Sequence, residues 1–145
     1  MSYNIEQINS GYISLTAAGV AAGTNAGTYK TTNTLTFLSN GLFKSKSATN
    51  NIAFSTGHTA LGNSQACLFA VWIDGSGNVS TSQGPIQAAG DPCPVPTAPA
   101  ASLTLVGLIK VTTSSSQTFT PGTSTLGTGN TVAYSDCGLM PGSAQ

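Results

Sequence analysis

The chain has very little charge. Only 6% of its 145 residues are Asp, Glu, Lys or Arg, against about 25% in an ordinary globular protein. It has no arginine, and four lysines balance four carboxylates, so the net charge is zero. A protein without a basic surface has no field that attracts nucleic acid or an anionic membrane. We therefore expect neither nucleic acid nor a membrane as a partner.

Groups that could carry out catalysis are equally scarce. His58 is the only histidine, and the four carboxylates are far apart in sequence. General acid–base and nucleophilic catalysis need a base within hydrogen-bonding reach of the reacting group. No GxSxG nucleophile motif is present. We predict that the chain is not an enzyme and uses no cofactor, with a hydrolase built around His58 as the least favoured alternative.

One stretch partly matches a calcium-binding loop. Asp74, Ser76 and Asn78 occupy positions 1, 3 and 5 of that pattern. Position 6 is Val79 where the pattern requires glycine, and position 12 is Pro85 where it requires glutamate. We interpret the stretch as a hairpin turn and predict no metal site.

Cysteines and apolar runs are also few. The three cysteines, Cys67, Cys93 and Cys137, cannot all pair within one chain and form no CxxC motif. A Cys93–Cys137 bridge stays possible, whereas Cys67 lies in an apolar run where a free thiol packs as a small hydrophobe. The first residues lack the features of a signal peptide, and no run approaches the ~20 apolar residues of a membrane span. We expect the chain to be made as a soluble cytoplasmic protein.

What the sequence does have is typical of β-structure. Thr, Val, Ile and aromatic residues favour strands, and Gly, Asn, Ser and Pro favour turns. Helices need Glu, Lys and Arg on their wet face, and almost none are present. We predict an all-β protein: a single β-sandwich or jelly-roll-like domain of about eight or nine short strands over residues 34–145. Residues 1–33 are expected to form a flexible N-terminal arm, or a loosely ordered surface segment, with one short strand at 12–16.

The most apolar stretch, residues 66–73, is predicted to be the central strand. Both of its alternating sets are apolar, so both faces should be covered, the second by another layer or by another subunit. Trp72, the only tryptophan, is interpreted as a core residue.

Residues 34–46 carry the clearest local signal. Asn40-Gly41 is a favoured pair for a two-residue type I′ turn. That turn places Leu38 opposite Phe43 in a hairpin near the edge of a sheet. The lysines of its second strand would discourage unwanted strand addition.

A long proline-rich connection, residues 84–101, is named the strap here. Its prolines hold the backbone extended and remove amide donors, so it cannot lie inside a sheet. Two interpretations stay open: a crossover between two sheets, or a stiff segment that lies on a neighbouring subunit. Further strands are predicted at 103–111, with a bulge or close approach at Gly107, at 117–120, running into a turn at Pro121-Gly122, and at 131–136.

The order of parts in the second half resembles a known family. In order, these are an apolar strand ending in DGSGNVS, the strap, VGLIKVTT, QTFTPGTSTL, VAYSD and a closing LMPG. This order resembles the small β-rich head decoration, or cement, proteins of tailed bacteriophages. The resemblance covers roughly residues 30–142 and is carried by turns and strand endings.

The resemblance implies a structural virion protein, made in the host cytoplasm, that binds the outer surface of an icosahedral capsid and stabilises the expanded head. Such proteins commonly bind as trimers or other small oligomers where subunits of the major capsid protein meet. The implied partners are the major capsid protein and further copies of the chain. As contact positions we expect the N-terminal arm, Trp72, Pro92, Pro94 and Pro96.

The alternative function is a receptor- or glycan-binding module of a head fibre or tail fibre. An exposed aromatic ring beside a carboxylate would favour it, because the ring is amphipathic and can pack against a ligand at a wet surface. Trp72 with Asp74 and Tyr134 with Asp136 are the two candidate pairs.

Overall fold

A computed structural model of the protein describes residues 11–138, which contain eleven β-strands and no helix. The strands are β1 (Ile13–Ser14), β2 (Val20–Ala22), β3 (Thr28–Thr31), β4 (Leu35–Ser39), β5 (Leu42–Lys46), β6 (Thr49–Ala53), β7 (Gln65–Ile73), β8 (Val79–Gln83), β9 (Gln87–Ala88), β10 (Thr104–Thr113) and β11 (Asn130–Asp136). No helix in this part of the chain could cross a membrane.

The strands form three antiparallel sheets arranged as a β-sandwich, which confirms the predicted fold class. The large sheet has the order β11-β10-β7-β8, with β9 also paired to β7. The two small sheets have the orders β1-β4-β5 and β2-β3-β6. Eleven strands exceed the predicted eight or nine because several contain only two or three residues. Strands so short have no readable alternation.

The core is built from side chains of the large sheet and of both small sheets. Tyr29 of β3 and Phe37 of β4 are almost fully buried in it, as is Phe69 of the central strand. Aromatic rings pack edge to face near its centre, with the Phe54 and Phe69 centroids 5.2 Å apart. Burial of one such side chain contributes about 1.5–3 kcal/mol.

Strand β7 is the central strand, as predicted, with β10 on one side and β8 on the other. Trp72 pairs with Leu105 and Ser80 and is only partly buried. The interpretation of Trp72 as a core residue is wrong, because strand alternation directs its side chain to the face opposite Phe69 and the rest of the core.

The hairpin of β4 and β5 is confirmed in turn and register. Asn40 and Gly41 have φ angles of 51° and 74°, the left-handed values that a type I′ turn needs. Leu38 pairs with Phe43 as predicted. This register was readable from sequence because two adjacent turn residues determine it.

The segment before residue 33 contains more structure than the one strand expected of it. Strands β1, β2 and β3 all lie there, and Tyr29 is fully buried. Residues 1–10 of the expected arm lie outside the described residues. The short strands have little local pattern and depend on contacts with distant parts of the chain.

One such contact holds β2 against the large sheet. The Asp136 carboxylate accepts hydrogen bonds from the amides of Gly19 and Val20, at 2.9 and 3.1 Å. Gly107 leaves room for this approach, since a Cβ there would lie 2.7 Å from Val20 Cγ2. The register of β10 also shifts immediately before Gly107. The predicted bulge or close approach at Gly107 is therefore confirmed.

The later strands match the predictions with one exception. Strands β10 and β11 are present, but residues 117–122 contribute only an isolated bridge between Phe119 and Leu61. The strand predicted at 117–120 is wrong, whereas the turn predicted after it at Pro121-Gly122 is present. Its apolar signal came from Phe119, a fully buried side chain of a loop.

The cysteines are unpaired within residues 11–138, so the possible Cys93–Cys137 bridge does not form. Cys67 is fully buried. Burial raises the pKa of its thiol to about 11, which keeps it in the unreactive protonated form at neutral pH.

Candidate protein-contact surfaces

The His58 side chain is held in place by a hydroxyl group and an aromatic ring of the fold. Its Nε2 lies 2.8 Å from Thr81 Oγ1, and its ring packs edge to face on Phe69 with centroids 5.4 Å apart. Thr81 Oγ1 also accepts the Ser55 amide, so its hydroxyl hydrogen is free to be donated to a neutral imidazole. Burial lowers the pKa of His58, which favours that neutral form.

Two carboxylates are used to hold the backbone. Asp74 accepts the Asn78 side-chain amide and the backbone amides of Ser76 and Asn78. The hydrogen bond from the Asn78 side chain is the largest cause of the lowered pKa of Asp74. Asp136 holds β2, as described above. Within the described ranges, no group of three or more His, Cys, Asp and Glu side chains could hold a metal ion.

The two aromatic–carboxylate pairs that would favour the glycan-binding alternative are engaged in contacts within the chain. The indole Nε1 of Trp72 donates to Ser82 Oγ at 2.8 Å. Tyr134 packs against the core, and the nearby carboxylates of Asp74 and Asp136 already accept hydrogen bonds from the chain. Neither pair presents an exposed ring beside an unused carboxylate.

An open groove lies beside His58. It is lined by Gly57, His58, Thr59, Gln83, Gly84, Pro85 and Ile86. The Gln83 side-chain amide bonds both the N–H and the carbonyl of Thr59, at 2.7 and 2.8 Å. The groove therefore has a packed wall and no free acid–base pair.

The strap supplies the first candidate contact surface. Pro96 is buried, and a Cβ on Gly84 would lie 2.7 Å from the Pro94 carbonyl oxygen and 3.5 Å from Pro96 Cδ. This contact fixes the strap to the end of β8. Pro92 and Pro94 are exposed, as is Val95 with 53% of its surface accessible. We name Pro92, Pro94 and Val95 the strap surface.

The strap connects strands of one sheet, so the interpretation as a crossover between two sheets is wrong. Residues 87 and 88 of the strap form β9, which pairs with the beginning of β7 at Gln65 and Ala66, so the prediction that the strap lies outside the sheets is wrong for this proline-free part. Strand β10 begins opposite Ile73, at the end of β7. The strap therefore runs the length of β7 and passes from one side of it to the other. The contact of the strap with a neighbouring subunit stays a prediction.

The contact between the strap and Gly84 does not bring the strap surface next to Trp72. The Gly84 amide donates a hydrogen bond to the Leu68 carbonyl. Trp72 is four residues further along β7 than Leu68, a distance of about 13 Å at the usual strand rise. Sequence reasoning named the prolines but missed Val95, whose exposure depends on how Pro96 is anchored.

The hairpin supplies the second candidate surface. Leu42 and Phe43 are 61% and 76% exposed, more than any other large apolar side chain of the described chain. Lys44 and Lys46 follow on the same strand. We name these four residues the hairpin surface.

Compared with known proteins, the chain matches no family model, no curated protein and no solved structure. Its exposed large apolar side chains are concentrated in the strap and the hairpin. A function that uses the surface of the molecule is therefore inferred from these two places and from the sequence resemblance.

Proposed function

We propose that the protein is a non-enzymatic structural protein that binds the outer surface of an icosahedral phage capsid and stabilises the expanded head. Its partner in this role is the major capsid protein, and its site of action is the outside of the virion. A small homo-oligomer, with a trimer as the first expectation, is part of the same proposal.

The observation that carries the proposal is the strap surface. Val95 is exposed between two prolines on a segment anchored by the buried Pro96. An extended proline-rich backbone has little conformational freedom left to lose when it docks. Such a surface suits packing against a preformed partner.

Repetition on a capsid compensates for the small area of the strap surface. A protein that binds only the assembled lattice stabilises that lattice by mass action. Many copies sharing interfaces with the shell and with each other add strength without requiring charge. The neutral, weakly charged composition is compatible with dense coverage of a shell, because copies at close spacing do not repel each other.

The test is co-sedimentation of the purified protein with expanded phage heads stripped of their minor proteins. Saturable binding at a fixed ratio to the major capsid protein is expected. Val95→Asp should weaken this binding about tenfold or more, since it places an unpaired carboxylate in a dry contact. Thr97→Asp, at another exposed strap position, is the matched control and should bind as the wild type does.

Absence of binding to heads would overturn the proposal. Equal loss of binding with Val95→Asp and Thr97→Asp would remove the strap surface as the contact. Binding to a glycan array, together with no binding to heads, would instead establish the fibre-module alternative.

A further inference from the structure

Among residues 11–138, no strand pairs with the outer backbone edge of β5. This strand is the last of the sheet β1-β4-β5. The Thr36 carbonyl accepts a hydrogen bond from the Leu15 amide, so the backbone groups of Thr36 point toward β1. Because successive residues of a strand point their backbone groups in opposite directions, those of Phe37 point toward its partner on β5, Lys44. By the same alternation, the amides and carbonyls of Phe43 and Ser45 point away from the sheet.

The side chains beside this edge are both apolar and basic. Leu42, Lys44 and Lys46 share one face of β5, and Phe43 and Ser45 share the other. Two of the four lysines of the chain are thus placed on one five-residue strand. The carboxylates of Asp74 and Asp136 accept backbone hydrogen bonds at other places in the fold.

A second copy of β5 is a poor occupant of this edge. An antiparallel pair of β5 strands would bring four lysines into one short ladder that contains no acid. Like charges in neighbouring cross-strand positions are destabilising. The lysines thus disfavour pairing between copies and leave the edge open to a strand of opposite charge.

We propose that β5 is a docking edge for an extended segment of another protein, which adds to the sheet as an antiparallel strand. From its N-terminal to its C-terminal end, that segment has the pattern acid–x–acid–apolar–apolar. Its acids lie opposite Lys46 and Lys44, and its apolar residues lie opposite Phe43 and Leu42. The backbone groups of Phe43 and Ser45 form the ladder. This goes beyond the proposed capsid function, because it concerns a different surface and its test uses no capsids.

The test is fluorescence anisotropy with a labelled peptide of core sequence Glu-Thr-Glu-Val-Leu and the full-length protein. Saturable binding that weakens as salt is added is expected. Ser45→Pro should abolish it, because proline removes one outward amide while leaving the bonds to β4 intact. Ser45→Ala is the matched control and should bind as the wild type does.

Charge reversal separates strand recognition from general stickiness. Lys44→Glu combined with Lys46→Glu should weaken binding of the acidic peptide about tenfold or more. The same double variant should gain binding to a Lys-Thr-Lys-Val-Leu peptide. A thermal melt of each variant checks that the sandwich is still folded.

Three results would overturn the proposal. The first is absence of peptide binding, or equal binding by Ser45→Pro. The second is self-association of the wild type that Ser45→Pro abolishes, because a second copy would then be the occupant. The third is stronger peptide binding after Glu6→Lys, because the first ten residues of the chain would then compete for the edge.

Discussion

The strap and the β4–β5 hairpin both expose apolar side chains, but they differ in what their backbones can do. Prolines at 92, 94 and 96 leave this part of the strap with few amide donors, so side-chain packing is its main means of docking. The hairpin has outward amides at Phe43 and Ser45 and can add a strand. One chain thus has two exposed surfaces suited to different kinds of partner, and each can be changed without the other.

The two surfaces also differ in how they are supported. The strap is anchored at Gly84 beside the large sheet, whereas β5 pairs with β4 alone in the described part of the chain. A substitution in the core should therefore disturb both surfaces. A substitution at the Gly84 contact should disturb only the strap surface, and one in the β4–β5 turn should disturb only the hairpin surface.

The largest effect is expected from Phe69→Ala in the shared core. Phe69 is fully buried and contacts the rings of Phe54, Phe119 and His58. Truncation should cost about 3–5 kcal/mol of unfolding free energy, measured by urea denaturation. Phe43→Ala is the matched control, since its ring is 76% exposed, and should change stability by less than about 0.5 kcal/mol. Equal losses would contradict the assigned core.

The next largest effect separates the strap from the hairpin. Gly84→Val would place a Cβ 2.7 Å from the Pro94 carbonyl oxygen and 3.3 Å from that of Leu68, and backbone atoms cannot move away cheaply. We expect a loss of about 1–3 kcal/mol and faster proteolysis within residues 84–101. Gly62→Ala meets only the flexible end of Gln65, at 3.3 Å, and should have a smaller effect. Unchanged cleavage of the strap in Gly84→Val would show that this contact does not anchor it.

A smaller effect should be confined to the hairpin. Gly41→Val puts a β-branched residue at a φ of 74°, which should cost about 1–2 kcal/mol. Asn40→Gly keeps the turn conformation and is the control. Peptide binding at β5 should weaken in Gly41→Val alone, while strap proteolysis stays at the wild-type rate. Accelerated cleavage of the strap in this variant would mean that the two surfaces are coupled.

The smallest effect is a pH dependence of stability caused by His58, which lines a groove together with the first residues of the strap. Because the pKa of folded His58 is lowered, the unfolded chain binds more protons near pH 6 than the folded one does. Stability should be full above the ordinary histidine pKa of about 6.5 and fall as the pH drops below it. His58→Gln should remove this dependence between pH 7.5 and 5.5 in thermal melts. A slope that persists in His58→Gln would assign it to another group.

Sequence alone predicted the parts of the fold with strong local signals. The register of the hairpin follows from Asn40-Gly41, and the central strand follows from an uncharged run with apolar residues on both alternating sets. Strands β1 to β3 could not be predicted, because they depend on long-range contacts such as Asp136 with the amides of Gly19 and Val20.

The candidate surfaces were predictable only in part. Proline spacing identified the strap, but which of its residues face outward depends on the fit of Pro94 and Pro96 on Gly84. Trp72 was assigned to the core because apolarity does not tell which face of a strand is covered. The lysines of β5 were visible in the sequence, whereas the exposure of Leu42 and Phe43 on a strand clear of the core was not.

The most direct test of the central claim is the melting temperature of expanded phage heads alone, with the wild-type protein, and with Val95→Asp. The proposed capsid function predicts that the wild type raises the melting temperature in a saturable way and that Val95→Asp at the same concentration does not. Heads that melt at one temperature in all three samples would contradict it.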